Sequence, residues 1–321
     1  MTKANVTVRV IAAIAFAGAA MAPGSAAAQT SITILTGAQG GVFYALGTAL
    51  SQIYAKAIAN VKATTQVTKT SAENLTSLQA GRGELAFTLG DVLSDAWRGN
   101  EDAGFKMPLT RLRGVSATYD NYIHVVARAE AGIRTVADLK GKRVSVGAAR
   151  SSIELNARAI FKAAGMSYKD LAKVEYLPFG ESVELLKDRQ LDATLVSASA
   201  GAAAVRDVAA AVKIVLVPIP ADVVARMGGA VYQPGAIAAN TYQGQTAEVA
   251  TAAIPNFLVT QADVPDELVY QMTRSLYDNL DKLTAASNAA KAIKRENAIK
   301  GMPVPLHPGA EKYYREVGVV K

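Results

Sequence analysis

Five short loops, at residues 37–41, 70–74, 90–91, 148–152 and 197–201, each follow an apolar, strand-like run and precede a stretch that can be helical. Loops of this kind present backbone N–H groups and short hydroxyls at a helix start, where the helix dipole favours anions. Gly37, Gly40 and Gly41 carry no Cβ, so the chain can turn sharply and a ligand can approach the backbone. Gln39 lies between them and Tyr44 just after. Ser71 and Asn74 belong to the second loop, Asp91 to the third, Arg150, Ser151 and Ser152 to the fourth, and Ser199 to the fifth. Among these loops only the fourth carries a cation. A guanidinium can hold a carboxylate through two parallel hydrogen bonds, and the N–H groups of Ser151 and Ser152 can add to it. These twelve residues form the candidate ligand site, and the chemistry they suggest is recognition of a small organic anion, a mono- or dicarboxylate; the alternative is that each loop is only a helix cap and that Arg150 points into solvent or pairs with a surface acid.

Other chemistries find little support. The spacing Gly37-x-x-Gly40-Gly41 matches neither the dinucleotide nor the P-loop fingerprint, and no cofactor is expected. There is no cysteine, which removes disulfides, thiolate metal sites and thiol nucleophiles. The two histidines, His124 and His307, are far apart, no HExxH is present, and no metal site is expected. GxSxG is absent, the loops contain no nucleophile–base pair, and catalysis is not expected. His124 sits in an apolar run and reads as a structural histidine. Ser151 and Glu154 fit a capping box, with Ser71 and Asn74 as a weaker version.

The elements around these loops alternate. Strand-like runs are read at 32–35, 61–68, 85–89, 112–118, 122–127, 143–146, 175–177, 193–196, 214–217 and 256–260. Helical patterns are read from 42, 70, 91, 154 and 183, then over 265–283 and 285–300. Such alternation predicts an α/β protein with mostly parallel sheets. The runs 122–127 and 256–260 bracket the second block. If both cross between two halves, the chain folds as lobe I (29–126 with 256–321) and lobe II (127–255), with a cleft between them. Residues 1–28 read as a cleaved signal peptide: Lys3 and Arg9, an apolar run over 10–22, then Ala26-Ala27-Ala28. The expected location is therefore the periplasm, with Gln29 as the mature N-terminus, which N-terminal sequencing checks. The formal net charge of +7 becomes +5 without Lys3 and Arg9, and aromatic residues are only 6% of the chain. A spread basic surface without an aromatic platform argues against a nucleic-acid partner.

Several segments resemble a known family: ITILTGAQGGVFYALG at 32–47, TSAENL at 70–75, GELAFTLGDV at 83–92, IHVVAR at 123–128, DLKGKRVSVG at 138–147 and LHPGAEKYYREVGV at 306–319. With these, the chain resembles the TAXI-type solute receptors of tripartite ATP-independent periplasmic (TRAP) transporters. The resemblance implies a type II periplasmic-binding-protein fold, with two lobes, a hinge and an interlobe ligand cleft. It implies a receptor that closes on a solute such as glutamate or 2-oxoglutarate and delivers it to an ion-driven membrane permease, usually a fused subunit. A monomer is expected. The first glycine loop, Tyr44, Ser71 and Asn74 match the family pattern. Its QSD is here Leu89-Gly90-Asp91, and its PGSGT is here Ala149-Arg150-Ser151-Ser152-Ile153. The 197–201 loop is also smaller than the family's. The alternative role is an exported sensor subunit that presents the solute to a signalling partner.

Overall fold

The structure, a computed structural model, describes residues 1–2, 29–39, 41–228 and 231–321. The export segment expected at the N-terminus lies almost wholly outside these residues, as does Gly40. Among the described residues no helix is long and apolar enough to cross a membrane.

The chain begins with β1 (Thr30–Leu35), α1 (Val42–Ala57), β2 (Val61–Gln66), α2 (Ser71–Gln79), β3 (Leu85–Leu89) and α3 (Gly90–Arg98). The long β4 (Leu112–Arg128) leads into β5 (Arg143–Ser145), α4 (Ser152–Ala163), β6 (Lys173–Glu175), α5 (Phe179–Lys187), β7 (Ala193–Ala198) and α6 (Ala203–Ala211). Next come β8 (Ile214–Val217), α7 (Ala221–Met227), β9 (Gln233–Ile237) and a second long strand, β10 (Val249–Gln261). The helices α8 (Asp266–Tyr277), α9 (Leu280–Ala286) and α10 (Pro308–Glu316) complete it. One sheet runs β2-β1-β3-β10-β4-β7-β5-β6, with β8 paired to β4 and β9 to β10.

The sheet is mixed rather than mostly parallel. The pairs β1–β2, β1–β3, β5–β6 and β5–β7 are parallel, and β4 and β10 join the two sets through antiparallel pairings. The two runs expected at 112–118 and 122–127 are one strand. The buried apolar residues divide the core by region. The apolar clusters packed by α1, α2, α3, α8 and α10 draw their buried residues from 32–119 and 257–314. Those packed by α4, α6 and α7 draw theirs from 123–254. Both long strands pass from one set to the other.

Three further expectations are corrected. Residues 285–300 do not form a helix but mainly two 3-10 turns, Asn288–Ala292 and Arg295–Asn297. Ala290, Ile293 and Ala298 are buried there, and the Ala298 carbonyl accepts the Ala117 N–H of β4 at 2.6 Å. The helix expected over 265–283 breaks after Tyr277, where Asn279 leaves the helical region. The strand expected at 175–177 lies over Lys173–Glu175. The elements α6, α7, β9 and α10 were not anticipated.

Candidate functional site

Five of the candidate residues come together. Gly37 from the loop after β1, Ser71 at the start of α2, and Arg150, Ser151 and Ser152 at the start of α4 line one cleft of about 360 Å³. Phe43, Lys69, Thr70, Asp95 and Leu155 complete much of the wall.

Each start is fixed locally. Thr70, not Ser71, caps α2: its Oγ1 accepts the Glu73 N–H at 3.1 Å, and Glu73 reaches back to the Lys69 N–H at 2.8 Å. Thr70-x-x-Glu73 was therefore the legible signal. Ser71 Oγ accepts the Leu89 N–H at 3.2 Å, which leaves its own hydrogen for a ligand. Ser151 Oγ accepts the Glu154 N–H at 3.2 Å, so half of the expected capping box forms. The Glu154 carboxylate turns instead to Arg158 Nε at 2.7 Å and the Tyr168 hydroxyl at 3.0 Å. The Ser151 N–H donates to the Ala148 carbonyl at 3.0 Å and is not available to an anion, whereas the Ser152 N–H has no partner among the described residues.

Arg150 is exposed at the cleft and makes no hydrogen bond or ion pair with the described residues. Its φ of 61° lies in the left-handed region, where a side chain is strained and glycine is at ease. Such strain persists where the surrounding structure imposes it, and it clusters at ligand sites. Lys69 also has no ion-pair partner among the described residues, so two cations face a cleft whose one lining acid is Asp95.

The remaining candidates do not line this cleft. Gln39 is exposed and Gly41 caps α1, with its N–H on the Ala38 carbonyl at 3.0 Å. Phe43 takes the wall position expected for Tyr44, stacked on Phe87 with ring centroids 5.1 Å apart. Asn74 is fully buried, and its Nδ2 donates to the Thr36 and Phe87 carbonyls at 2.7 and 2.8 Å. It ties the ends of β1 and β3 together rather than reaching a ligand. Ser199 lies on the loop after β7, which is held from behind. The Gly201 N–H donates to the Tyr242 hydroxyl at 2.9 Å, and that hydroxyl is 2.8 Å from His124 Nε2. His124 Nδ1 is 2.9 Å from the Tyr122 carbonyl.

Asp91 lies below the cleft, 5% exposed, and its Oδ1 accepts the Val92 N–H at 2.8 Å. Asn156 of α4 faces it and accepts the Tyr232 hydroxyl at 2.7 Å, so a buried polar contact spans α3, α4 and the approach to β9. The glycine before Asp91 has a steric cause. A Cβ on Gly90 would sit 2.7 Å from the Pro255 carbonyl oxygen of β10, so the serine of the QSD pattern does not fit.

Burial pushes the Asp91 carboxyl up to about 6 and the His124 imidazole down to about 4. The signs oppose. As pH falls through 6 the folded protein takes up a proton at Asp91 before the unfolded chain does, so stability rises until about 3.8. His124 stays neutral while the unfolded chain protonates below about 6.5, so its contribution falls until about 4. Each amounts to roughly 3 kcal/mol in full. Asp91→Asn should therefore stabilise the protein at neutral pH and uncover a steeper loss between pH 6.5 and 4. Denaturant titrations of both proteins across that range check this, and parallel pH profiles would contradict it.

The fold is that of solute-binding proteins. It is similar to PhnD1 from Prochlorococcus marinus in complex with methylphosphonate (TM-score 0.56, 12% identity, 91% of this chain and 100% of that one). It is similar to a TctC solute-binding protein from Polaromonas (0.55, 15%, 91% and 99%). It is also similar to the periplasmic aliphatic sulphonate binding protein SsuA from Escherichia coli (0.50, 15%, 89% and 83%). The model of the NMT1-like family matches residues 34–318, and the chain belongs to that family.

Proposed function

We propose that this protein is an extracytoplasmic solute receptor that closes on a small organic anion, a mono- or dicarboxylate, and hands it to a membrane permease. The observation that carries the reading is the convergence of Arg150, the free Ser152 N–H, Ser71 and Gly37 on one cleft, with Lys69 adding positive charge. The cleft contains donors and cations but no paired nucleophile and base, which suits binding rather than turnover. Methylphosphonate and aliphatic sulphonates, named for two proteins of similar fold, are also small anions.

In this reading residues 29–126 with 256–321 form lobe I and 127–255 lobe II, with β4 and β10 as the hinge. The separation of the apolar clusters across those strands supports the division. The ligand favours closure only by binding the closed form more tightly. The TAXI resemblance points to a TRAP permease, a fused subunit driven by an ion gradient, as the partner. A thermal-shift panel of carboxylates, phosphonates and sulphonates tests the ligand class. A carboxylate should raise Tm in a concentration-dependent way; a protein that responds to none of the three classes would contradict the reading.

A further inference from the structure

A second cleft, of about 390 Å³, shares no lining residue with the first. It lies over the crossing strands, where the 288–300 segment approaches β9. Three ammonium groups line it: Lys291, Lys294 and Lys300. None has a carboxylate at ion-pair distance among the described residues; burial raises the Asp120 carboxyl above its ordinary value, and nearby Lys300 offsets part of that rise. Unpaired cations grouped in a concavity repel one another, and that repulsion is relieved when an anion enters.

Tyr119 supplies an independent sign. Its side chain is only 8% exposed, its hydroxyl has no partner among the described residues, and it lines this cleft. The hydroxyl oxygen is not among the buried unsatisfied atoms, so it stays reachable and can donate to a ligand in the cleft. Asp120 then narrows the ligand. A carboxylate among lysines repels a fully ionised anion but accepts a hydrogen bond from one that keeps a proton.

We infer that this second cleft binds a protonated oxyanion of the hydrogen-phosphate type, with Lys291, Lys294 and Lys300 neutralising its charge, Tyr119 donating to it and Asp120 accepting its proton. The site is joined to the first cleft by one ring contact. Phe43 of the solute cleft packs edge-on against Tyr119, with centroids 6.1 Å apart. The cleft also joins the 288–300 segment, packed with the first set of core clusters, to β9, which pairs with β10 beside the second. Occupancy of one cleft can therefore shift affinity in the other, and by linkage the effect is reciprocal.

The test is calorimetric titration of inorganic phosphate and of sulphate at constant ionic strength near neutral pH. Wild type should bind phosphate at least about tenfold more tightly than sulphate, since one misplaced hydrogen bond to a charged group is worth that much. The K291Q/K294Q/K300Q variant changes only exposed side chains and should lose phosphate binding about tenfold or more. Asp120→Asn should remove the preference over sulphate, and Arg150→Ala should leave phosphate binding unchanged. Equal binding of both ions by wild type would overturn the inference, as would undiminished phosphate binding by the lysine variant. Loss of phosphate in Arg150→Ala alone would place the ion in the solute cleft, overturning this inference while leaving the receptor reading intact.

Discussion

Replacing Arg150 by alanine is expected to weaken solute binding by about one to two orders of magnitude, since a charged hydrogen bond contributes roughly 1.5–3 kcal/mol. The guanidinium faces the cleft without an internal partner, so its removal leaves no protein group unsatisfied and should not lower stability. Arg150→Gly separates the two roles further. It removes the same cation but relieves a left-handed backbone at φ 61°, so the free protein should be as stable as wild type or more stable by up to about 1 kcal/mol. Isothermal titration with the co-purified solute, paired with denaturant unfolding, reads both effects. Unchanged affinity in both variants would place Arg150 outside the site.

The second large effect is expected at Asn74, and it falls first on stability. Its amide bridges the Thr36 and Phe87 carbonyls from a fully buried position. Asn74→Ala removes both bonds and should cost about 2–4 kcal/mol, within the range for buried groups that lose their partner. Asn74→Asp should be worse, because a buried carboxylate oxygen would face a carbonyl oxygen that now receives an N–H. Solute affinity should fall as well, because the loop after β1 is anchored through Thr36. Denaturant unfolding should show a lower midpoint with an unchanged slope. A variant of wild-type stability would show that Thr68, which also donates to the Thr36 carbonyl at 2.9 Å, is sufficient.

Much of the fold could be read because the pattern that signals each element is the one that packs it. The run 32–35 reads as a strand, and Ile32, Ile34 and Leu35 are buried in β1; the helical pattern read from 42 is α1, whose buried face includes Leu46, Leu50 and Ile53. The reading failed where tertiary partners decide. The 288–300 segment is rich in helix formers, but its carbonyl pairs with the edge of β4. The mixed sheet follows from two long strands that local alternation showed only as fragments. At the site, residue type found the right loops but not the direction of each side chain. Ser71, Arg150, Ser151 and Ser152 line the cleft. Asn74 and Asp91, equally polar in sequence, face inward to carbonyls and to α4. One helical position separates Tyr44 from Phe43, which forms the wall.

Native mass spectrometry of protein purified from cells under gentle conditions addresses the central claim most directly. The receptor reading predicts a single small-molecule adduct on the mature chain, released on denaturation and identified by its mass as an organic acid, and lost from Arg150→Ala. A bare protein that also ignores added carboxylates, or an adduct retained unchanged by the variant, would contradict it.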